Sequence, residues 1–169
     1  MPRTRALPFA LALPFAIAAA APTLAHAKDL NGRIGIGAMQ STSGLSSLSV
    51  RFGFPTGTPT LNIGLGADAG LDMLSATSTT AGSTDYYGGA RLYLGVVAED
   101  NMNLYFGASA GYASLAGSNA IRIGPNLGAE FFLFGLENLG FLAEMQLNID
   151  IGGATRIFGS PAVGFHYYF

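Results

Sequence analysis

Beyond residue 27 the chain alternates apolar and polar positions one by one, and the alternation recurs in separate runs. A period of two belongs to a β-strand with one apolar and one polar face. Eight such runs can be drawn, most of them close to the about 9–11 residues that a tilted strand needs to cross a membrane.

The first run, 30–39, sets Ile34, Ile36 and Ala38 against Arg33, Gly35 and Gly37. The second, 47–54, sets Leu48, Val50, Phe52 and Phe54 against Ser47, Ser49, Arg51 and Gly53. The third, 60–72, is the most regular: Leu61, Ile63, Leu65, Ala67, Ala69 and Leu71 face away from Asn62, Gly64, Gly66, Asp68, Gly70 and Asp72. The fourth, 85–97, opposes Ala90, Leu92 and Leu94 to Gly89, Arg91 and Tyr93. The fifth, 102–112, opposes Leu104, Phe106 and Ala108 to Asn103, Tyr105 and Gly107. The sixth, 120–134, opposes Ile121, Ile123, Leu127 and Phe131 to Arg122, Gly124, Asn126, Gly128 and Glu130. The seventh, 141–151, opposes Ala143, Met145, Leu147 and Ile149 to Glu144, Gln146, Asn148 and Asp150. The eighth, 156–169, opposes Ile157, Val163, Phe165, Tyr167 and Phe169 to Ser160, Gly164, His166 and Tyr168.

Composition decides what such strands face. Half of the 169 residues are hydrophobic and only 11% are charged, against about 25% charged in an ordinary soluble domain. Mean hydropathy is +0.39. So few charges exclude a disordered or nucleic-acid-binding chain. The absence of Cys excludes a disulfide scaffold, thiolate metal sites and a thiol nucleophile. The 24 glycines are spread through every segment, and an interior Gly costs a helix about 1 kcal/mol relative to Ala. Past the N-terminus no run of about 18 apolar residues could span a bilayer as a helix. The remaining way across is a closed β-barrel. A soluble barrel or sandwich would instead turn the apolar face inward and the charged face to water. The apolar face here is too long for a small core, and the chain beyond residue 27 has one Lys, Lys28.

Residues 1–27 read as a secretory signal peptide. Arg3 and Arg5 form the basic region, an apolar stretch follows, and Ala25-His26-Ala27 is a small-x-small cleavage site. The predicted mature barrel is 28–169, of 142 residues. It keeps six basic residues against ten acidic ones, a formal charge of −4.

The last residues are Ala162-Val-Gly-Phe-His-Tyr-Tyr-Phe169. Here the sequence resembles bacterial outer-membrane β-barrels, whose last strand ends in aromatic-x-aromatic with a Gly three residues before the pair. Gly164, Tyr167 and Phe169 match that assembly signal. Ala162 departs from it, since the family usually has a polar residue there. Eight strands in this length is similar to the smallest class, the OmpA transmembrane domain, OmpX and OmpW. The resemblance implies a Gram-negative outer membrane reached through the periplasm, contact with lipid and lipopolysaccharide, and handling of the last strand by the barrel-assembly machinery. An even strand count puts both termini in the periplasm. Turns near 55–59, 98–101 and 135–140 then face the periplasm, and connections near 40–46, 73–84, 113–119 and 152–155 face outward.

An eight-stranded barrel has an interior that side chains just fill. Five Arg (Arg33, Arg51, Arg91, Arg122, Arg156) and five acids (Asp68, Asp72, Glu130, Glu144, Asp150) fall on the polar face. Buried charge is costly unless paired, and Arg suits bidentate pairing with carboxylates. The predicted lumen network is Arg33, Arg51, Asp68, Arg91, Arg122, Glu130, Glu144 and Asp150, with Arg51, Arg91 and Arg122 paired to Glu130, Glu144 and neighbouring acids. The inward glycines would make room for Tyr93, Tyr105 and the Arg side chains, or leave a narrow wet passage. Outward aromatics near strand ends suggest interface girdles, with Tyr86, Tyr87 and Tyr112 at the external side.

Catalysis finds little support. After leader removal the one His is His166, at the periplasmic end, and Ser160 on the same strand lies about 20 Å away. A base without a nucleophile in hydrogen-bond reach is not a catalytic site. One His and no Cys leave only hard carboxylate ligands for a metal, and Gly35-x-Gly37 lacks the helix of a phosphate loop. The expected function is that of a monomeric, non-enzymatic outer-membrane barrel, structural or narrow-pore, with no cofactor or metal. The alternatives are surface recognition or adhesion through the outer loops, chiefly 73–84, and a lipid-modifying enzyme.

Overall fold

The computed structural model describes residues 29–42, 45–58, 61–75, 82–99, 101–115 and 117–169. Among them, each alternating run is a strand. The order is β1 (Ile34–Ser41), β2 (Ser46–Phe54), β3 (Leu61–Leu74), β4 (Ser83–Glu99), β5 (Met102–Leu115), β6 (Ser118–Phe132), β7 (Leu139–Gly152) and β8 (Arg156–Tyr168). Each strand pairs antiparallel with its sequence neighbour, and β1 pairs with β8 to close the barrel. The predicted all-β, up-and-down, eight-stranded barrel is therefore the fold. The signal-peptide reading falls on residues outside those described.

The faces follow the alternation. Exposed on the outside are Ile36, Leu48, Val50, Leu65, Leu92, Phe106, Leu127, Met145 and Phe165, among many others. Buried inside are Ser49, Arg51, Asp68, Arg91, Arg122, Asn126, Glu130, Glu144, Asn148 and His166. This inverts the usual partition of apolar and polar side chains. An apolar surface running round the whole wall is far larger than a soluble monomer exposes, so the exterior requires lipid. The soluble-barrel alternative, with apolar residues inside, is not what forms.

Several boundaries differ from the sequence expectation. β1 begins at Ile34 rather than near 30. The residues before it turn over the barrel rim: Arg33 N–H donates to Leu30 O (3.1 Å), and Gly32 N–H donates to Gly53 O (2.8 Å). Gly32 has φ +71°, a conformation that L side chains rarely hold. Pairing of β3 with β4 continues to Leu74 opposite Ser83, and pairing of β5 with β6 to Leu115 opposite Ser118. Residues 113–115 and 118–119 are thus strand rather than loop. The 73–84 connection shrinks correspondingly, and its central residues 76–81 lie outside those described.

Asp29 and Phe169 lie at one end of the barrel, called proximal here; the other end is distal. Outward aromatics cluster at the proximal end, where Tyr167 and Phe169 meet edge to face at 5.0 Å and Phe52 and Phe54 at 5.3 Å. At the distal end Tyr86 and Tyr112 stack at 6.0 Å on the outside. Tyr87 departs from the expected girdle. It shares strand parity with Arg91 and Tyr93, so it turns into the lumen, where its ring lies 6.0 Å from the Arg122 guanidinium carbon.

Candidate functional site: the lumen network

The polar faces of seven strands meet in the lumen. Arg91 on β4 donates from Nε to Asp68 on β3 and from Nη1 to Glu144 on β7 (2.6 Å). One guanidinium thereby bridges both walls of the barrel. Glu144 is further held by the Tyr105 hydroxyl, which donates to Oε2 (2.9 Å), and by Gln146 Nε2, which donates to Oε1 (2.7 Å). Nearer the distal end Arg122 grips Asp150 with two parallel bonds, Nε to Oδ1 at 2.7 Å and Nη2 to Oδ2 at 2.9 Å. Such charge-assisted, bidentate contacts are the strong class of hydrogen bond.

Arg51 is held differently. Its Nη1 reaches Glu130 Oε2, and its Nη2 reaches the Tyr105 hydroxyl, each at 3.5 Å. Its guanidinium carbon lies 4.3 Å from the centre of the Tyr93 ring and 5.1 Å from that of Tyr105. The two rings meet edge to face at 5.4 Å. Glu130 in turn accepts the Tyr168 hydroxyl at 2.9 and 3.0 Å on its two oxygens.

Glycines on the inward face supply the room. Gly66 stands between Arg51 and Arg91 in register. A Cβ on Gly66 would lie 2.8 Å from the Tyr93 ring, and one on Gly128 would lie 2.5 Å from Tyr105. The Tyr93 and Tyr105 rings therefore fold into space that side chains at 66 and 128 would fill.

His166 is fully buried. Its Nε2 lies 2.9 Å from Ser49 Oγ, and its Nδ1 lies 3.7 Å from Glu130 Oε1. A serine is thus in reach of the histidine, contrary to the expectation drawn from Ser160 alone. Ser49 and His166 face the same β1 residue, Gly37, from opposite sides, and the side chains meet across the strand that separates them. Both are essentially without solvent exposure. A hydroxyl enclosed in this way offers no space for a carbonyl to approach, which is what a nucleophile needs. Here it is a hydrogen-bond partner.

The predicted site residues divide accordingly. Arg51, Asp68, Arg91, Arg122, Glu130, Glu144 and Asp150 are brought together. Arg33 is not: it precedes β1, sits at the proximal rim, and donates to Asn138 Oδ1 (2.6 Å) and Tyr168 O (3.2 Å). Arg156 and Asp72 are exposed towards the distal end, and Arg156 lies over the Phe158 ring at 5.4 Å. Asp68 emerges as a partner of Arg91, and Ser49, Tyr105, Gln146 and Tyr168 join the network without having been singled out as partners. Their strand parity marked them as inward; their partners depended on register around the closed wall. Among the described residues no group of three or more His, Asp or Glu side chains could hold a metal ion.

On the terminal strand, Gly164 faces inward opposite Met39, where a Cβ would crowd Met39 and the backbone of Ala38. Tyr167 and Phe169 face outward and are exposed.

No protein-family model and no curated protein matches this chain. Among solved structures, Neisserial surface protein A is similar at 18% sequence identity, over 81% of this chain and 94% of that one, with a TM-score of 0.41.

Proposed function

We propose that this protein is a monomeric, non-enzymatic outer-membrane barrel whose lumen is closed by its own ion pairs, so that its role is structural rather than that of a pore. The observation that carries this is the bridge from Asp68 through Arg91 to Glu144, which spans the lumen between β3 and β7. The inward side chains around it are buried, and the cavity beside Arg51 measures only about 50 Å³, room for a few waters.

The lipid-facing exterior and the aromatic residues at both ends support a bilayer setting. The leader-like residues 1–27 support export, which puts the proximal end in the periplasm and the distal end outside. The outer-membrane setting makes lipid and lipopolysaccharide the surroundings. Gly164, Tyr167 and Phe169 are the segment that the assembly machinery would read, with the two aromatics exposed at the end of β8.

Single-channel recording on the refolded mature chain in a planar bilayer tests this reading. The wild type is expected to be silent, and Arg91→Ala to open small, reproducible steps. Regular conductance from correctly folded wild-type protein would overturn it in favour of a narrow, charge-lined pore.

A further inference from the structure

The residues before β1 do not run straight out of the barrel. The β1–β2 ladder first continues past Ile34: Gly53 N–H donates to Arg33 O (3.0 Å), and Gly32 N–H donates to Gly53 O (2.8 Å). The chain then reverses. Arg33 N–H donates to Leu30 O (3.1 Å), with Gly32 at φ +71° as the third residue of the turn. A turn with a positive φ at that position favours glycine. A Cβ on Gly32 would meet nothing within 4 Å, so the backbone conformation, not crowding, is what the glycine serves.

Two contacts place the reversed segment inside the mouth of the barrel. Gly53 shares the inward parity of Arg51, and a Cβ on it would collide with the carbonyl of Leu30. Asn62, inward on β3 and 8% exposed, accepts the Leu30 N–H on Oδ1 (3.2 Å). The Leu30 backbone therefore lies across the inward faces of β2 and β3. Leu30 also lines the cavity beside Arg51, together with Tyr93, Tyr105 and Glu130.

Asn31 holds the segment down. Its Oδ1 accepts the Thr56 N–H (3.2 Å) and the Thr56 hydroxyl (3.1 Å), and its Nδ2 donates to Thr58 O (3.2 Å). Thr56 and Thr58 belong to the connection between β2 and β3. These bonds sit at the rim, where water can replace them. A short segment near a chain end, held by a few rim bonds, opens at far lower cost than a strand paired on both sides.

We propose that residues 29–33 form a lid on the proximal mouth: hinged at Gly32 and latched by Asn31, it swings off the β2–β3 connection and exposes the cavity beside Arg51 to water at that end. The lid is a movable closure, added to the fixed one that the ion pairs make. The assignment does not depend on whether the lumen conducts.

The chain has no Cys, so one introduced thiol reports access to the space beneath the lid. Gly95 is suited to this. It lines the cavity, pairs in register with Asn62, and a Cβ there would meet Asn62 Cβ at 3.3 Å, which a small shift relieves. The test uses the refolded mature chain in detergent micelles and a water-soluble methanethiosulfonate as the probe. Gly95→Cys alone is expected to react slowly. Adding Asn31→Ala removes the latch and is expected to speed the reaction about tenfold. Adding Gly32→Val disfavours the turn without a clash and should act in the same direction. Ser47→Cys, inward near the distal end, should react at the same rate with and without either change. A Gly95→Cys rate unmoved by both changes, or a matching rise at Ser47→Cys, would overturn the proposal. Should Gly95→Cys fail to refold, amide hydrogen exchange decides. Asn31→Ala should then speed exchange at Leu30 and Gly32 and leave β1 unchanged. No acceleration there, or equal acceleration in β1, would likewise overturn the lid.

Discussion

Arg51 and Arg91 stand at the same level of the barrel, each in register with Gly66, on β2 and β4 respectively. Both are buried. Arg91 lies between Asp68 and Glu144, with hydrogen bonds to each. Arg51 rests on two tyrosine rings and meets the Glu130 carboxylate at 3.5 Å. A buried guanidinium can thus be held by full ionic pairing or mainly by stacking on aromatic faces, for which Arg is well suited. The first arrangement ties opposite walls together. The second leaves bonding capacity unused and a cavity beside it.

The comparison can be broken at several points. The largest effect is expected from Arg91→Ala, which strands two buried carboxylates without their cation. It should destabilise the refolded barrel by about 3–5 kcal/mol, read by urea unfolding in detergent micelles. A loss under 1 kcal/mol would mean that the bridge does not hold the walls. Gly128→Ala comes next, because its new Cβ would press on the Tyr105 ring, which holds both Glu144 and Arg51. Overpacking of that kind costs about 1–3 kcal/mol, and the same unfolding measurement reads it.

Arg51→Met should cost less than Arg91→Ala, about 2 kcal/mol, since it strands one buried carboxylate rather than two and Glu130 keeps the Tyr168 hydroxyl. An effect equal to that of Arg91→Ala would erase the distinction between the two sites. Tyr93→Phe should be the smallest, within about 0.5 kcal/mol. Its hydroxyl has no partner to lose among the described residues, and its ring keeps its place beside Arg51. Calorimetric melting of this pair of proteins would resolve the difference.

Much of this barrel was legible in the alternation alone. In β3, Leu61 to Leu71 at odd positions and Asn62 to Asp72 at even ones specify both the strand and the side of the wall for every residue. A period of two leaves no freedom once one face meets lipid. The same parity put Arg51, Arg91, Arg122 and the four paired carboxylates inside. It likewise put Tyr87 inside, although its type suggested a girdle. Arg33 misled because parity says nothing about where a strand begins, and the turn at Gly32 sets that limit.

What the sequence by itself determined, then, is the number of strands, their faces and the polar character of the interior, because these are local properties of spacing. Which inward side chains meet was decided only by closure. Asp68 and Glu144 belong to β3 and β7, and both reach Arg91 on β4. Ser49 and His166 belong to β2 and β8 and meet over Gly37 because β1 pairs with both neighbours. Those encounters depend on the stagger of strands around the barrel and on its width, which no single stretch of chain encodes.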